Sequence, residues 1–137
     1  MALSISVGVA GYEYLDDRLT KDGCPYSSLL QVTSWEGECE FEDGTDGDLS
    51  CSKNTPHYSM GYFNAGQWRN KYVSVNEFFK MFSEEKPLPI EVVINLVDEI
   101  MRESKTKIDK NRARWLYFWC NKALEVFGER AQIEVSY

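Results

Sequence analysis

Residues 3–14 open with apolar and polar positions in alternation. Ile5, Val7 and Val9 share one face, with Ser4, Ser6 and Gly8 opposite, the period of a half-buried strand. Gly8 and Gly11 mark a bulge or a close backbone approach, and Asp16 to Pro25 reads as loop. Leu29 to Phe41 fits a long second strand with Leu29, Thr33, Trp35, Cys39 and Phe41 on its apolar side, although its start, SSLLQV, also fits a short helical turn. Residues 43–56 read as a second loop, rich in Gly, Pro, Ser and Thr. His57–Phe63 and Gln67–Val73 flank Asn64-Ala65-Gly66, which predicts a hairpin with Gly66 at a positive φ. In that hairpin Tyr58, Met60 and Tyr62 share one face.

At Ser74 the period lengthens. Ser74-Val75-Asn76-Glu77 matches a capping box ahead of a short helix to about Ser83 that buries Phe78, Phe79 and Phe82 in part. Pro87 and Pro89 interrupt the chain, and Pro89 suits the first turn of a new helix. Ile90, Val93, Ile94, Val97, Ile100 and Met101 keep helical spacing, with Glu91, Asp98, Glu99 and Arg102 outside. After a polar break at Lys105–Lys107, Asp109 caps a third helix running to Phe127, with Gly128 as terminator. That helix buries Trp115, Leu116, Trp119, Ala123 and Phe127. The end, AQIEVSY, alternates again, with Ile133, Val135 and Tyr137 on one face.

Strands, then three helices, then a strand predict an α+β fold: a mainly antiparallel sheet of about five strands with three helices packed on one face. No repeat or linker divides the chain, so residues 1–137 are expected to form a single domain. Hydrophobic residues at 43% and aromatics at 14% supply a core and argue against disorder.

Charge alters this picture more than composition does. The net charge is −7, which disfavours direct nucleic-acid binding, because phosphates call for Lys and Arg. It suits attraction to a basic protein. Residues 1–74 carry eleven acids against five bases, and residues 75–137 eleven against ten. The excess centres on WEGECEFEDGTDGD, Trp35 to Asp48, where Glu36, Glu38, Glu40 and Glu42 occupy every second position and Asp43, Asp46 and Asp48 follow. In an extended strand that period sets the four glutamates on one face, roughly 6.5–7 Å apart. Charge runs are most often solvated faces, and such a face also blunts a sheet edge. The sharper reading is a recognition strand. Neighbouring carboxylates repel by about 0.5 kcal/mol per pair in water, and a bound row of Lys or Arg relieves that repulsion and speeds encounter.

Catalytic signatures are absent from the sequence: it holds no phosphate loop, G-x-S-x-G elbow or H-E-x-x-H helix. The Asp-rich turn departs from the EF-hand pattern, with Thr45, Gly47 and Asp48 where that loop wants acid, acid and Gly. Cys39, Cys51 and His57 match no common zinc spacing. No catalytic residue, metal or cofactor is therefore assigned. His57, the one histidine, reads as a structural residue at a strand start, and a hydrolase centred on it needs a pocket with a perturbed titratable group. Cys24, Cys39, Cys51 and Cys120 show no C-x-x-C and read as reduced thiols, with Cys120 buried in its helix. Trp68, Arg69, Lys71 and Tyr72, with Tyr58 and Tyr62, combine the aromatic and cationic groups enriched at interfaces, though aromatic pairing across the hairpin is the favoured account of most of them. Lys105, Lys107, Lys110, Arg112 and Arg114 straddle a helix start, where cations oppose the dipole. Pairing with the acids of the preceding helix is their expected role.

The first residues, MALSISVGVAGYEYL, lack the lead and apolar core of a secretion signal. No run approaches the ~18 apolar residues of a membrane span, so a cytoplasmic protein without a membrane partner is expected. Together these features predict a small acidic inhibitor of a basic protein, most directly an immunity protein that occludes the cleft of a bacterial nuclease toxin. Glu36, Glu38, Glu40, Glu42, Asp43, Asp46, Trp68 and Tyr62 are its expected partner-binding residues. A phage-encoded inhibitor of a nucleic-acid-binding host defence complex fits the same charge. A small hydrolase centred on His57 is the remaining alternative. The pattern is silent on oligomeric state.

Overall fold

The computed structural model describes residues 2–9, 29–31, 57–84 and 86–136. The acid-rich segment 36–48, the loops expected at 16–25 and 43–56, the strand beyond Gln31 and Tyr137 lie outside the described residues.

The fold is α+β. Strand β1 (Ala2–Val9) lies at the centre of an antiparallel sheet. One of its edges pairs with β5 (Ala131–Ser136), Ile5 opposite Val135 and Val7 opposite Ile133. The other is shared by two segments: β3 (His57–Gly61) covers its first half, and β2 (Leu30–Gln31) meets Gly8 and Val9. A short β4 (Leu88–Pro89) closes the far side of β5. Five strand segments thus form a sheet four positions wide. Pro89 is tolerated because β4 is an edge, where a missing N–H breaks no ladder.

Four helices follow among the described residues: α1 (Tyr62–Arg69), α2 (Val73–Lys80), α3 (Ile90–Glu103) and α4 (Lys107–Phe127). The expected number was three. The added helix, α1, replaces the second half of the predicted hairpin, so Tyr62 leaves the sheet that Tyr58 and Met60 face. Gly66 lies inside α1; the positive-φ glycine among the described residues is Gly128, at φ 59°. Sequence spacing there permitted a strand and a turn, but α1 buries Ala65 and Trp68 three residues apart on one helical side.

Leu3, Ile5, Val7, Tyr58, Met60, Ile133 and Val135 point from the sheet into one core, which the helices close with Trp68, Phe78, Phe79, Val93, Val97, Ile100, Trp115 and Trp119. In α3, Ile90, Val93, Val97 and Ile100 are buried while Ile94 is half-buried and Met101 exposed, close to the expected apolar stripe. Gly128 ends α4 where predicted, its N–H donating to Leu124 O. Two helix starts differ from expectation. Thr106, not Asp109, caps α4, its hydroxyl accepting from Asp109 N at 3.1 Å. The Ser74 capping box does not form, because α2 begins at Val73 and Ser74 donates through N and Oγ to Glu103 Oε2 at 3.3 and 2.6 Å. A carboxylate from the end of α3 therefore serves the first turn of α2. No helix among the described residues is long and apolar enough to cross a membrane.

Candidate functional site

Helix α1, the turn after it and the first turns of α4 enclose an open cavity of about 650 Å3, lined in part by Asn64, Gln67, Trp68, Lys71, Ile108 and Asp109. Helical spacing presents Asn64, Gln67 and Trp68 together, and the Thr106 cap fixes where α4 begins, so Asp109 and Arg112 stack one turn apart. Asp109 is only 2% exposed. Its Oδ2 accepts from Lys71 Nζ and Tyr72 OH, both at 2.8 Å, and its Oδ1 from Arg112 Nη1 at 3.2 Å. Burial pushes this carboxyl up, but the hydrogen bonds from Lys71 and Tyr72 outweigh it and hold the group below the usual carboxylate range. The same bond raises the Lys71 amine.

The network runs from surface to sheet. Tyr72 OH accepts from Lys105 N at 3.1 Å. Arg112 Nε donates to Tyr58 OH on β3 at 3.3 Å, and the guanidinium lies 5.7 Å from the centre of the Trp68 ring, within cation–π range. Trp68 in turn meets Phe79 edge-on. Nothing local in the sequence joins Asp109 to Tyr72, 37 residues earlier. The one available signal was Thr106-x-x-Asp109, a hydroxyl and an acid at capping-box spacing.

Among the predicted site residues, Tyr62 is 79% exposed and Trp68 1% exposed, on different faces of α1. Phe63 and Val73 are exposed nearby. Glu36, Glu38, Glu40, Glu42, Asp43 and Asp46 lie outside the described residues. Within the basic cluster Arg112 joins Asp109, one turn earlier on its own helix, while Lys105, Lys107 and Lys110 are exposed and form no ion pair with the acids of α3 among the described residues.

His57 is buried on the sheet face away from the helices, its Nδ1 3.3 Å from Ser6 Oγ. Burial lowers its pKa to about 4, so the imidazole is neutral at physiological pH. Glu134 stands opposite Ser6 on the other neighbouring strand, making a row His57, Ser6, Glu134. Cys120 is buried in α4, and desolvation pushes its thiol up. Among the described residues no three His, Cys, Asp or Glu side chains gather as a metal site. No protein-family model matches the chain, and no curated protein or solved structure matches it either.

Proposed function

We propose that this chain is a stoichiometric protein inhibitor that binds a basic protein through its acid-rich segment, in the manner of an immunity protein blocking a nuclease toxin. The observation that carries this reading is the segregation of charge. Residues 10–56 hold eleven acids against three bases, whereas the described residues hold ten acids against twelve. The scaffold is therefore close to neutral, and the field of this −7 protein originates in one part of the sequence. Like charges so concentrated give the fold nothing obvious, yet they attract a cationic cleft and accelerate encounter. Occlusion of such a cleft needs no cofactor. A nucleic-acid-binding defence complex presents the same cationic track and is the second target class.

The Ser6–His57 contact favours the hydrolase reading less. A relay places the imidazole between hydroxyl and carboxylate. Here the hydroxyl lies between the other two, and His57 and Glu134 are two strand spacings apart, about 9–10 Å.

The test is retention of proteins from the source organism's lysate on the immobilised chain and on its Glu38→Lys/Glu40→Lys/Glu42→Lys variant. A basic protein held by the parent at 0.1 M salt, released as the Debye length falls to about 3 Å at 1 M and not held by the variant, is the expected result. That protein's nuclease activity should then fall to zero at one equivalent of inhibitor. Undiminished retention by the variant would sink the assignment.

A further inference from the structure

The cavity between α1 and α4 has a chemistry of its own, carried by residues that do not belong to the acid-rich segment. We propose that it is a binding site for a small phosphorylated ligand with a planar hydrogen-bonding edge, the chemistry of a nucleoside monophosphate. Three carboxamides line it, the half-buried Asn64 and the exposed Gln67 and Asn70, and their side chains make no hydrogen bond to a protein group among the described residues, so they are open to a ligand in exchange for water. A carboxamide carries a donor and an acceptor side by side, so it pairs with an edge that alternates them, as a nucleobase edge does. Ile108, 47% exposed, adds an apolar wall against which a flat ring can lie, and Trp68, buried beneath the Arg112 guanidinium, only backs the cavity.

The phosphate end is provided for at the other side of the same space. Lys71 lines the cavity, its side chain is 48% exposed, and Asp109 engages one of its three N–H donors. Two donors therefore remain for an anion. Thr106 and Ile108 place the first turn of a 21-residue helix in the lining, where backbone N–H groups without intrahelical partners favour a phosphate. The exposed Lys107 and Lys110 stand on that turn and beside it. Asp109, the acid in the lining, is already engaged by Lys71, Tyr72 and Arg112, so it repels an incoming anion weakly. At about 650 Å3 the cavity falls within the ~300–1,000 Å3 of small-molecule sites. A nucleic-acid strand is the poorer match, because a polyanion would meet the whole −7 protein.

The experiment titrates AMP, GMP, CMP, UMP, adenosine and inorganic phosphate separately into the 15N-labelled full chain. It follows the Trp68 indole N–H and the Asn64, Gln67 and Asn70 side-chain amides. The expected result is saturable binding of at least one monophosphate with Kd below about 1 mM, with those four side chains shifting. Adenosine and inorganic phosphate should each bind at least about tenfold more weakly than the best monophosphate. The Asn64→Ala/Gln67→Ala variant removes side chains with no hydrogen bond among the described residues, so it should fold normally and weaken binding about tenfold. Lys71→Met should weaken it by a similar factor, and because that change also touches Asp109, the carboxamide variant decides the matter. Absence of saturation by any monophosphate, equal binding of inorganic phosphate, or binding indifferent to the carboxamide variant would each overturn the proposal. None of these outcomes bears on the acid-rich segment, whose own test uses a different variant.

Discussion

His57 and Asp109 are both buried and titratable, and the fold lowers the pKa of each, keeping the imidazole neutral and the carboxylate ionised at neutral pH. His57, 4% exposed, is kept neutral by desolvation, so its folded pKa of about 4 lies below the ordinary 6.5. The unfolded chain binds that proton first on acidification. The fold should therefore lose roughly 3 kcal/mol between pH 6.5 and pH 4 from this group alone. Urea unfolding at pH 7, 5.5 and 4.5 checks the slope, and His57→Gln should flatten it, whatever constant cost the substitution adds. Asp109 works lower. Its depressed pKa contributes stability above the unfolded value of ~3.9, and that contribution is lost as pH falls through the folded pKa. Asp109→Asn should cost about 3 kcal/mol at pH 7, since it takes the carboxylate away from Lys71, Tyr72 and the buried Arg112. A far smaller loss in denaturant midpoint would mean that Arg112 finds its compensation elsewhere.

At the scale of elements, helix ends show how local signals were displaced by neighbours. Ser74 looked like its own cap from sequence. In the fold Glu103 reaches it from α3 and bonds both N and Oγ, which ties the start of one helix to the end of another. Glu103→Ala should cost about 1 kcal/mol and loosen α2, read as faster amide exchange at its first turn. Gly128 is the opposite case, a terminator legible at once and used as read. A Cβ there meets nothing within 4 Å, so the cost of Gly128→Ala, about 2 kcal/mol by thermal unfolding, is that of holding alanine at φ 59°, ψ −132°, a backbone region that only glycine adopts readily. The hairpin predicted over residues 57–73 failed for a different reason. Eight residues do not distinguish a strand from a two-turn helix by period alone, and Ala65 and Trp68 found their core partners only in the helical arrangement.

For the whole molecule, β1 is the element on which the sheet depends. Residues 2–9 pair with β2 and β3 on one side and β5 on the other, so the first strand of the chain lies beside its last. Closing that pairing brings together residues more than a hundred positions apart, a slow kind of contact to form. Removing residues 1–9 should leave β3 and β5 without their shared partner. The shortened chain is expected to retain helical far-UV signal while losing cooperative unfolding and the near-UV signal of its tryptophans. Retention of a sharp transition would show that the helices and β5 fold without it.

Sequence alone determined what depends on period and on single residues. The alternation of Ile5, Val7 and Val9, the stripe of α3, the course of α4 beyond its first turn and the stop at Gly128 are each set by neighbours along the chain. These follow from strand and helix geometry that every sequence obeys. The α+β class came with them, because strands and helices occur in separate runs. Tertiary structure decided the remainder: that residues 62–69 are helical, that one edge of β1 is shared by β2 and β3, and that Lys71, Tyr72, Asp109 and Arg112 converge beside one cavity. Those facts depend on contacts far apart along the chain: 21 and 23 positions between β1 and β2, and 37 and 38 between Asp109 and its partners Tyr72 and Lys71. A buried carboxylate takes the donors that packing brings within reach, and no spacing along the chain encodes which donors those will be.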